Sequence, residues 1–561
     1  MKHTFRNLLL SALALGLTVS SCSSDEDSAT NSQIWDIAPV VVSVKVLSPE
    51  GYSVLNGYNT RSISATYRGN TYYCQRATTR YYAPTFYGLA YANDYLLFGE
   101  LDAEQTYMGE PIIINWGDDS KADTITFSHR LEWQDNTPHF QQKFWLNGHE
   151  VTGQITIHKD LQRAPEYTPR QDMPVTAEQK RMLTPINDFG FDLFRQLKAA
   201  ADEPHSSLVA SPLSVAYVLG MLATAASADE GPEGTRGEIL KALHMEQQGV
   251  DAMNALFKIL ADNASLVDTQ TDIQLACALF VRQGYPIYGG YPSFLADYYH
   301  ADYEQLDFAS PTALERINAW CNQKTKGLIP SILDEIPPLA MAYLLNAIYF
   351  RGGWSTPFYP DMTREADFTR TDGTVSKLPL MHENIATFYA HTDAFDAMRL
   401  PFGQGSYQMT FLLPTGTNTT DQLVQQLSSA VLEGLTWQYA DVNITLPRFS
   451  VVSDYKELPQ QLEALGVHRA FIPRQALFTN MTPDEDLYVS NMRQKARLAV
   501  DEKGCEAAAV TIAGMETTAM PDEHEQVTFC ANRPFVYLIT EVSSGTVFFI
   551  GTYEGEPASA Q

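Results

Sequence analysis

The sequence predicts two domains of different fold class, a small all-β sandwich followed by a larger α+β domain. Apolar and polar residues alternate in the first part, as in residues 40–46, which is the period of a half-buried strand. Apolar residues at helical spacing appear only later, at Phe189, Leu193 and Leu197. Apolar runs such as residues 343–350 then read as strands buried on both faces. Helices followed by strands are typical of an α+β domain.

Residues 35–160 form the predicted β-sandwich, for which we expect an immunoglobulin-like topology. Asn147-Gly148 lies between two of its strands and has the sequence of a tight hairpin turn. On each strand the alternation places the apolar side chains on one face. The alternating sets are Val40, Val42, Val44 and Val46; Ile63, Ala65 and Tyr67; Ile112 and Ile114; Ile125 and Phe127; and Ile155 and Ile157.

A proline-interrupted segment, residues 161–178, reads as the linker between the two domains. The larger domain then occupies residues 179–556. We expect its first helix to begin near Thr184-Pro185, because proline is favoured at the first helical position.

Residues 1–21 have the composition of a secretion signal, with an apolar run, 8–19, that is too short to span a bilayer. Val19-Ser20-Ser21-Cys22 resembles a bacterial lipobox, which implies cleavage before Cys22 and lipid attachment to its thiol. We expect an outer-membrane lipoprotein on the cell surface, with residues 22–34 as an acidic tether and membrane contact only through the lipid. The alternative is an ordinary secretory signal that happens to contain a cysteine.

The charge and the cysteines exclude several classes of function. A net charge of −28, from 66 acidic and 38 basic residues, repels the phosphates of nucleic acids and anionic lipid head groups. The cysteines other than Cys22 show no C-x-x-C pair and no cysteine–histidine cluster, so we expect no disulfide framework, metal site or cofactor. Cys277 and Cys321 read as small buried hydrophobic residues.

The larger domain carries a series of short motifs in a fixed order. They are Ser211-Pro212-Leu213-Ser214, Gly234-Thr235-Arg236, Asn318 through Gly327 with Ile329-Pro330, Asn346 through Trp354, Leu400-Pro401-Phe402, Leu412-Leu413-Pro414, Leu446-Pro447-Arg448-Phe449 and Asn532-Arg533-Pro534-Phe535. Together and in this order they resemble the motifs of the serpin superfamily. The resemblance implies an α+β serpin fold, with helices, three β-sheets and an exposed reactive loop.

Residues 501–511 resemble the hinge of that reactive loop. In the family a protease cleaves the loop as a substrate, and the hinge side then inserts into the central sheet while the protease is still an acyl-enzyme. The family's spacing places the scissile bond between Thr518 and Ala519. The hinge residues that the resemblance assigns are Glu502, Gly504, Cys505, Glu506, Ala507, Ala508, Ala509 and Thr511.

The loop's own sequence is compatible with a central strand. Alternate side chains from Cys505 to Met515 would share one face, which is small or uncharged and can be buried. Glu506 and Glu516 would both lie on the opposite face, where we expect water to keep them charged. No proline interrupts residues 504–519. Cys505 replaces the usual threonine or serine of the family, and we expect an exposed thiol there that oxidation could modify so as to block insertion.

The resemblance also assigns a region in which the central sheet opens. Ser211, Ser214, Asn346 and Trp354 match it, and Gln494 stands where many serpins have a histidine that braces the opening. Glutamine can also donate and accept hydrogen bonds, so we expect the brace to be altered and not lost.

We therefore predict a suicide inhibitor of serine endopeptidases that is not an enzyme and acts as a monomer. Thr518 and Ala519 suit an elastase-like or subtilisin-like target, with a papain-like cysteine protease as an alternative. No G-x-S-x-G, H-E-x-x-H or phosphate-binding glycine loop occurs. Two further hypotheses remain: a non-inhibitory serpin scaffold, and a surface adhesion or glycan-binding lipoprotein that uses the tyrosine-rich β-domain.

Overall fold

The fold comes from a computed structural model. It describes residues 19–21, 35–37, 39–161 with short gaps, 170–505 apart from 202 and 204, and 525–556. These residues divide into two compact units, and the boundary between the units falls between Tyr167 and Thr168. Several residues that the sequence singles out lie outside the described ones, namely Cys22, Glu506, Ala507, Ala508, Ala509, Thr511, Met515, Glu516, Thr518 and Ala519.

The described part of the first unit consists of strands. They are β1 Val19–Ser21, β2 Trp35–Ile37, β3 Val40–Leu47, β4 Ser64–Tyr67, β5 Asn70–Tyr73, β6 Gln75–Arg76, β7 Thr78–Arg80, β8 Ala83–Thr85, β9 Gly88–Ala92, β10 Tyr95–Leu101, β11 Tyr107–Asn115, β12 Asp123–Gln134, β13 Thr137–Leu146, β14 His149–Val151 and β15 Ile155–His158. The first two pair with each other, and so do β7 and β8.

Two sheets form the sandwich of this unit. One has the order β15-β3-β10-β9-β6 and the other β14-β13-β12-β11-β4-β5. Every member of the alternating apolar sets is buried, and nearly all of them pack in one shared core, so the predicted all-β fold is confirmed. Asn147 and Gly148 have positive φ and join β13 to β14 as a two-residue turn, as predicted. The immunoglobulin-like topology stays a prediction.

The second unit combines helices and strands. Its helices are α1 Ala177–Ala199, α2 Pro212–Ala225, α3 Thr235–Ala242, α4 Gly249–Asn263, α5 Gly290–Tyr299, α6 Pro311–Lys324, α7 Thr420–Gln426, α8 Ser429–Glu433 and α9 Leu458–Ala464, with 3₁₀ turns at Gly231–Glu233, Pro360–Met362 and Arg469–Phe471. Its strands are β16 Leu208–Ala210, β17 Thr271–Arg282, β18 Asp302–Leu306, β19 Ala342–Gly353, β20 Arg364–Thr369, β21 Val375–His391, β22 Phe395–Phe402, β23 Tyr407–Pro414, β24 Gln438–Pro447, β25 Phe449–Tyr455, β26 Gln494–Asp501, β27 Gly504–Cys505, β28 Gln526–Cys530, β29 Phe535–Glu541 and β30 Val547–Tyr553.

The first helix begins earlier than the sequence predicts. Thr176 and Gln179 cap each other's backbone N–H groups, so α1 begins at Ala177 and Pro185 lies inside it. The predicted start near Thr184 is therefore wrong, because this capping box satisfies the free N–H groups two turns upstream. Met173 is buried in the core of the same unit, which extends the folded unit into the predicted linker.

Two sheets pack around the main core of this unit. The nine-stranded sheet has the order β16-β30-β29-β23-β22-β21-β24-β28, with β20 paired to β21. The resemblance implies three sheets. Here two of those three sheets form a single one, because β21 is 17 residues long and pairs with β20, β22 and β24. The six-stranded sheet, called the central sheet below, has the order β18-β17-β19-β27-β26-β25. Helix α2 is buried between the sheets almost along its whole length, as its apolar sequence predicts.

A smaller apolar cluster lies on the opposite face of the central sheet. Ile317 and Trp320 of α6 pack there against Ala347 and Leu345 of β19. Helix α6 therefore covers part of the central sheet's outer face.

No helix among the described residues is long and apolar enough to cross a membrane.

Candidate functional site

Among the described residues, the central sheet has a gap along most of the line between β19 and β26. Strand β19 pairs with β17 on one side, and β26 pairs with β25 on its far side. Between them, among the described residues, lie only Gly504 and Cys505 of β27, which pair with residues 352–353 and 500–501. The two strands are thus bridged at one end and unpaired with each other elsewhere.

We call the remaining gap the slot. Its rims are residues 342–351 of β19 and residues 494–499 of β26. Each rim presents backbone N–H and C=O groups that face the slot, and such groups favour pairing with an added strand. A segment that continues β27 in the same direction would meet both rims in antiparallel fashion.

Trp354, the residue that follows β19, fixes the bridged end of the slot. Its side chain is 1% exposed and stacks on Phe402 with ring centroids 4.5 Å apart. The indole Nε1–H donates to the carbonyl of Asp501 at 2.9 Å, and the Trp354 backbone N–H donates to the carbonyl of Lys503 at 2.8 Å. These bonds fix the turn between β26 and β27.

Glu502 occupies that turn as a buried carboxylate. It is 4% exposed and accepts hydrogen bonds from Arg448 Nε at 2.7 and 2.8 Å and from the Thr363 hydroxyl. Burial on its own raises the pKa of Glu502, but the bonds from Arg448 and Thr363 outweigh it and hold that pKa below its ordinary value. Sequence reasoning missed both partners. Arg448 belongs to the motif Leu446-Pro447-Arg448-Phe449. A buried glutamate needs a cation as partner, and this need was the signal that could have pointed to Arg448.

Gly504 is required by close backbone approach. Its φ is +150°, and a Cβ built there would lie 2.2 Å from the carbonyl oxygen of Gly352. Any side chain would therefore push β27 away from β19. Glycines at 352 and 353 on the facing strand complete this narrow contact.

Cys505 corrects the expectation of an exposed thiol. Its side chain is 0% exposed and belongs to the main core, on the inward face of the sheet. Pairing with Gly352 on one side and Val500 on the other leaves it no access to solvent. Oxidants reach buried thiols poorly, so the predicted block of insertion by oxidation loses its basis.

The far end of the slot rests on the first turn of helix α2. Gln494 Oε1 accepts from the backbone N–H of Ser211 at 3.1 Å, and its Nε2 donates to the Ser211 carbonyl at 2.7 Å. On the opposite rim, the Ser214 hydroxyl donates to Asn346 Oδ1 at 2.5 Å, while Asn346 Nδ2 donates to Cys277 Sγ at 3.1 Å. Both rims are thereby fastened to the same helix. Sequence reasoning missed Cys277 as a partner in this network.

The structure thus gathers the sequence-predicted residues that it describes into two groups. Glu502, Gly504, Cys505 and Trp354 lie at the bridged end of the slot, and Ser211, Ser214, Asn346 and Gln494 lie at its far end. The roles of all of them stay predictions.

A family model, serpin (serine protease inhibitor), matches residues 184–554, about two thirds of the chain. The chain belongs to the serpin family. Members of this family are typically protease inhibitors that act on target proteases, and not catalysts. The N-terminal β unit is additional to the serpin domain.

Several relatives match this chain over most of their own length. A serpin-like protein of Thermococcus kodakarensis is 28% identical over 68% of this chain and 88% of its own length. Plasminogen activator inhibitor 1 of Sus scrofa is 28% identical over 65% of this chain and 90% of its own. Glia-derived nexin of Rattus norvegicus is 27% identical over 65% of this chain and 91% of its own length.

Solved structures show the same fold. The native state of the thermophilic serpin tengpin superposes with a TM-score of 0.59 at 24% identity, covering 70% of this chain and 97% of that one. Human thyroxine-binding globulin in complex with thyroxine superposes with a TM-score of 0.58 at 24% identity, covering 68% of this chain and 100% of that one. The predicted serpin fold is therefore confirmed.

The buried carboxylate yields a stability test. Glu502→Gln keeps the shape of the side chain but removes the charge that Arg448 and Thr363 bond, so we expect the free energy of unfolding at pH 7 to fall by about 2 kcal/mol. The exposed Glu463 supplies a matched control, and Glu463→Gln should change nothing measurable. Denaturant unfolding followed by circular dichroism measures both. Equal midpoints for the two variants would contradict the role of Glu502.

The same pair gives a pH dependence with a definite sign. The folded-state pKa of Glu502 lies below its ordinary value of 4.5, so its contribution is complete above pH 4.5 and is lost as pH falls through the lowered pKa. The stability gap between wild type and Glu502→Gln should therefore be constant near neutrality and shrink in acid. A gap that widens in acid would contradict this assignment.

Proposed function

We propose that this serpin is a suicide inhibitor of serine endopeptidases, in which cleavage between Thr518 and Ala519 lets the residues after Cys505 enter the slot. One observation carries the proposal: β27 already stands in the slot as its first two residues. The chain that follows Cys505 needs only to continue in the same register to fill the rest. Alternatives are a serpin that is cut without trapping its attacker and a scaffold.

The register of β27 can be extended along both rims. Gly504 faces Gly353 and Cys505 faces Gly352, so each later residue moves one step back along β19. Thr511 then lies opposite Asn346. On the other rim the same count places Thr511 opposite Gln494. The polar hinge residue thus meets the polar pair at the far end of the slot.

The inward face of the extended strand fits the rim in size and polarity. Three alanines of the loop face large apolar residues of β19, the polar residue faces a polar one, and at the last position a large residue faces a small one. The pairs are Ala507 with Phe350, Ala509 with Ile348, Thr511 with Asn346, Ala513 with Leu344 and Met515 with Ala342.

In the proposed register, the outward face of the inserted strand changes from charged to apolar in step with the sheet. Near the bridged end Glu506 faces Arg351, so the charged residue meets a cation. Further along, the small apolar cluster under α6 takes over. The pairs there are Ala508 with Tyr349, Val510 with Ala347, Ile512 with Leu345 and Gly514 with Tyr343. The loop is therefore charged where the sheet is charged and apolar where the sheet is covered.

These matches give insertion a free-energy source. The inserted residues would gain ladder hydrogen bonds, and apolar surface would be buried on both faces of the strand. These two gains oppose the entropy that is lost when the loop becomes ordered. The uninserted state then persists kinetically until the loop is cut.

Cleavage supplies the trigger and the trap. The protease's serine oxygen forms an ester with the carbonyl carbon of Thr518, the C–N bond to Ala519 breaks, and the new amine of Ala519 takes the proton. Insertion then carries the ester-linked protease along the sheet before water completes hydrolysis. Threonine and alanine at the bond favour proteases with shallow specificity pockets, elastase-like or subtilisin-like, with a papain-like cysteine protease as the alternative.

The decisive experiment is a denaturing gel of the purified chain mixed with elastase and with subtilisin. We expect a band at the summed mass of protease and inhibitor, together with a released C-terminal fragment that begins at Ala519. Amino-terminal sequencing of that fragment fixes the cleaved bond. Clean cleavage with a fully active protease and no such band would contradict inhibition and leave a substrate or scaffold.

A variant in which the glutamate is moved by one residue tests which side chains of the inserted strand point into the core. The double variant Glu506→Ala with Ala507→Glu keeps composition and net charge but turns the carboxylate from Arg351 toward Phe350. Burying an unpaired charge costs several kcal/mol, so we expect the double variant to be cleaved without forming the complex. Glu506→Ala alone is the control and should retain most of the complex. Equal complex yields would contradict the proposed register.

We further propose that the chain is anchored to the outer membrane through lipid on Cys22 and faces the cell exterior. The lipobox-like Val19-Ser20-Ser21-Cys22 after an apolar run supports this proposal. Surface placement would bring the inhibitor into contact with proteases in the surroundings.

Replacing Cys22 tests the anchor. In a Gram-negative host, wild-type protein should incorporate labelled palmitate and partition into detergent, whereas Cys22→Ala should do neither. Cys530→Ala serves as a control that leaves both properties unchanged. Label incorporation by Cys22→Ala equal to wild type would contradict the assignment.

A further inference from the structure

A cavity of about 260 Å³ lies against the nine-stranded sheet, away from the central sheet and its slot. Residues of helices α1 and α8 line it on one side, and residues of strands β22, β23 and β29 line it on the other. Small-molecule pockets in proteins start at about 300 Å³. The cavity therefore has room for a small organic ligand.

The sheet side of this cavity carries a strip of polar side chains. Arg399 of β22 pairs with Thr410 of β23, and Gln408 of β23 pairs with Thr540 of β29. All four residues line the cavity. A sheet face that helices cover is ordinarily apolar, because buried polar groups need hydrogen-bond partners. The strip therefore indicates that something polar is bound between this sheet and the helices.

Arg399 is the cation of this strip, and its guanidinium is only partly satisfied. Its Cζ lies 3.6 Å from the centroid of the Trp437 ring, so the guanidinium stacks on the indole. Its Nε is buried and, within the described part of the chain, has no hydrogen-bond partner. Burial lowers the pKa of Arg399 to about 10, which leaves the group charged at neutral pH. A buried charged donor of this kind favours an anionic acceptor.

The other charged groups on the wall restrict the charge of that acceptor. Lys180 already donates to the carbonyl of Ser543 at 2.5 Å. Glu541 is buried and accepts from the backbone N–H of Ser544 at 2.7 Å, and the exposed Glu433 lies at the edge. Two carboxylates near the site repel phosphate and other multiply charged anions more strongly than a monoanion. A single carboxylate group is the acceptor that fits.

Apolar side chains opposite the strip favour an apolar body for the rest of the ligand. Phe191 of α1 is buried, and Leu432 of α8 is partly buried against the same core. Both line the cavity, as does Trp437. A flat apolar group between these side chains would gain contact area while its carboxylate bonds the guanidinium of Arg399.

We infer that this cavity binds a small apolar carboxylic acid as its monoanion, with the carboxylate on Arg399 and the apolar body against Phe191 and Leu432. The site lies outside the slot, and the inference does not depend on the proposed function.

Calorimetric titration of the full chain with naphthylacetate tests the site. Naphthylethanol supplies the same apolar body without the charge, and inorganic phosphate supplies negative charge without the body. We expect saturable binding of naphthylacetate, binding of the alcohol that is weaker by about tenfold or more, and no binding of phosphate. Alcohol bound as tightly as the acid, or no saturable binding of the acid, would overturn the proposal.

Three variants locate the binding. Arg399→Met removes the cation and should weaken binding of naphthylacetate by about tenfold or more without changing that of the alcohol. Leu432→Trp keeps Arg399 but fills the cavity, and should abolish binding of both. The exposed Arg364 of β20 belongs to the same sheet and lies outside the cavity, so Arg364→Met is the matched control and should bind as wild type. Full binding by Leu432→Trp would place the ligand elsewhere and overturn the site.

A purely structural role of Arg399 predicts a different result. If the guanidinium served only to pack on Trp437, Arg399→Met would lower the thermal midpoint of the ligand-free protein and leave the affinity for naphthylacetate unchanged. In our proposal the ligand-free midpoint stays the same or rises, because the variant removes a buried charge that no carboxylate pairs within the described residues. The loss then appears only in binding.

Discussion

Backbone hydrogen bonding across the gap in the central sheet is the constraint on which the rest of this serpin domain depends. Where β27 lies, β19 and β26 are spaced for one more strand between them, and the described chain fills two positions there, Gly504 and Cys505. Unpaired strand edges are costly when buried and prone to pairing when exposed. A sheet in this condition favours whatever strand completes it, and in the proposed function that strand belongs to the chain itself.

Two separate clusters fasten the two ends of the gap. At the bridged end, Trp354 bonds the backbone of the β26–β27 turn, and the buried carboxylate of Glu502 binds that turn to the half-exposed Arg448. At the far end, Gln494 and Asn346 tie opposite rims to the first turn of α2. These clusters share no side chain, so each end of the gap has its own anchor.

The sequence predicted most of the fold and the positions of the site, but not its partners. Alternation and helical spacing were sufficient for the β-sandwich and for α2, because those patterns report burial directly. The start of α1 was wrong because a capping box competed with Pro185 for the helix terminus. Burial of Cys505 was missed because it depends on pairing with two strands distant in sequence. The bonds of Arg448 and Cys277 were missed for the same reason, since no local pattern encodes a long-range contact.

The two faces of the proposed inserted strand explain why a loop of such plain composition can be specific. On the inward side its small residues meet Phe350 and Ile348, and on the outward side it passes from the cation Arg351 to the apolar cover of α6. A shift of one residue would exchange the faces and place Glu506 in the core, at a cost of several kcal/mol. In the proposed function, the tight backbone contact that only Gly504 permits would set the register before cleavage. The hinge would then guide insertion, and only the residues beyond the inserted segment would be free to suit a protease's recognition.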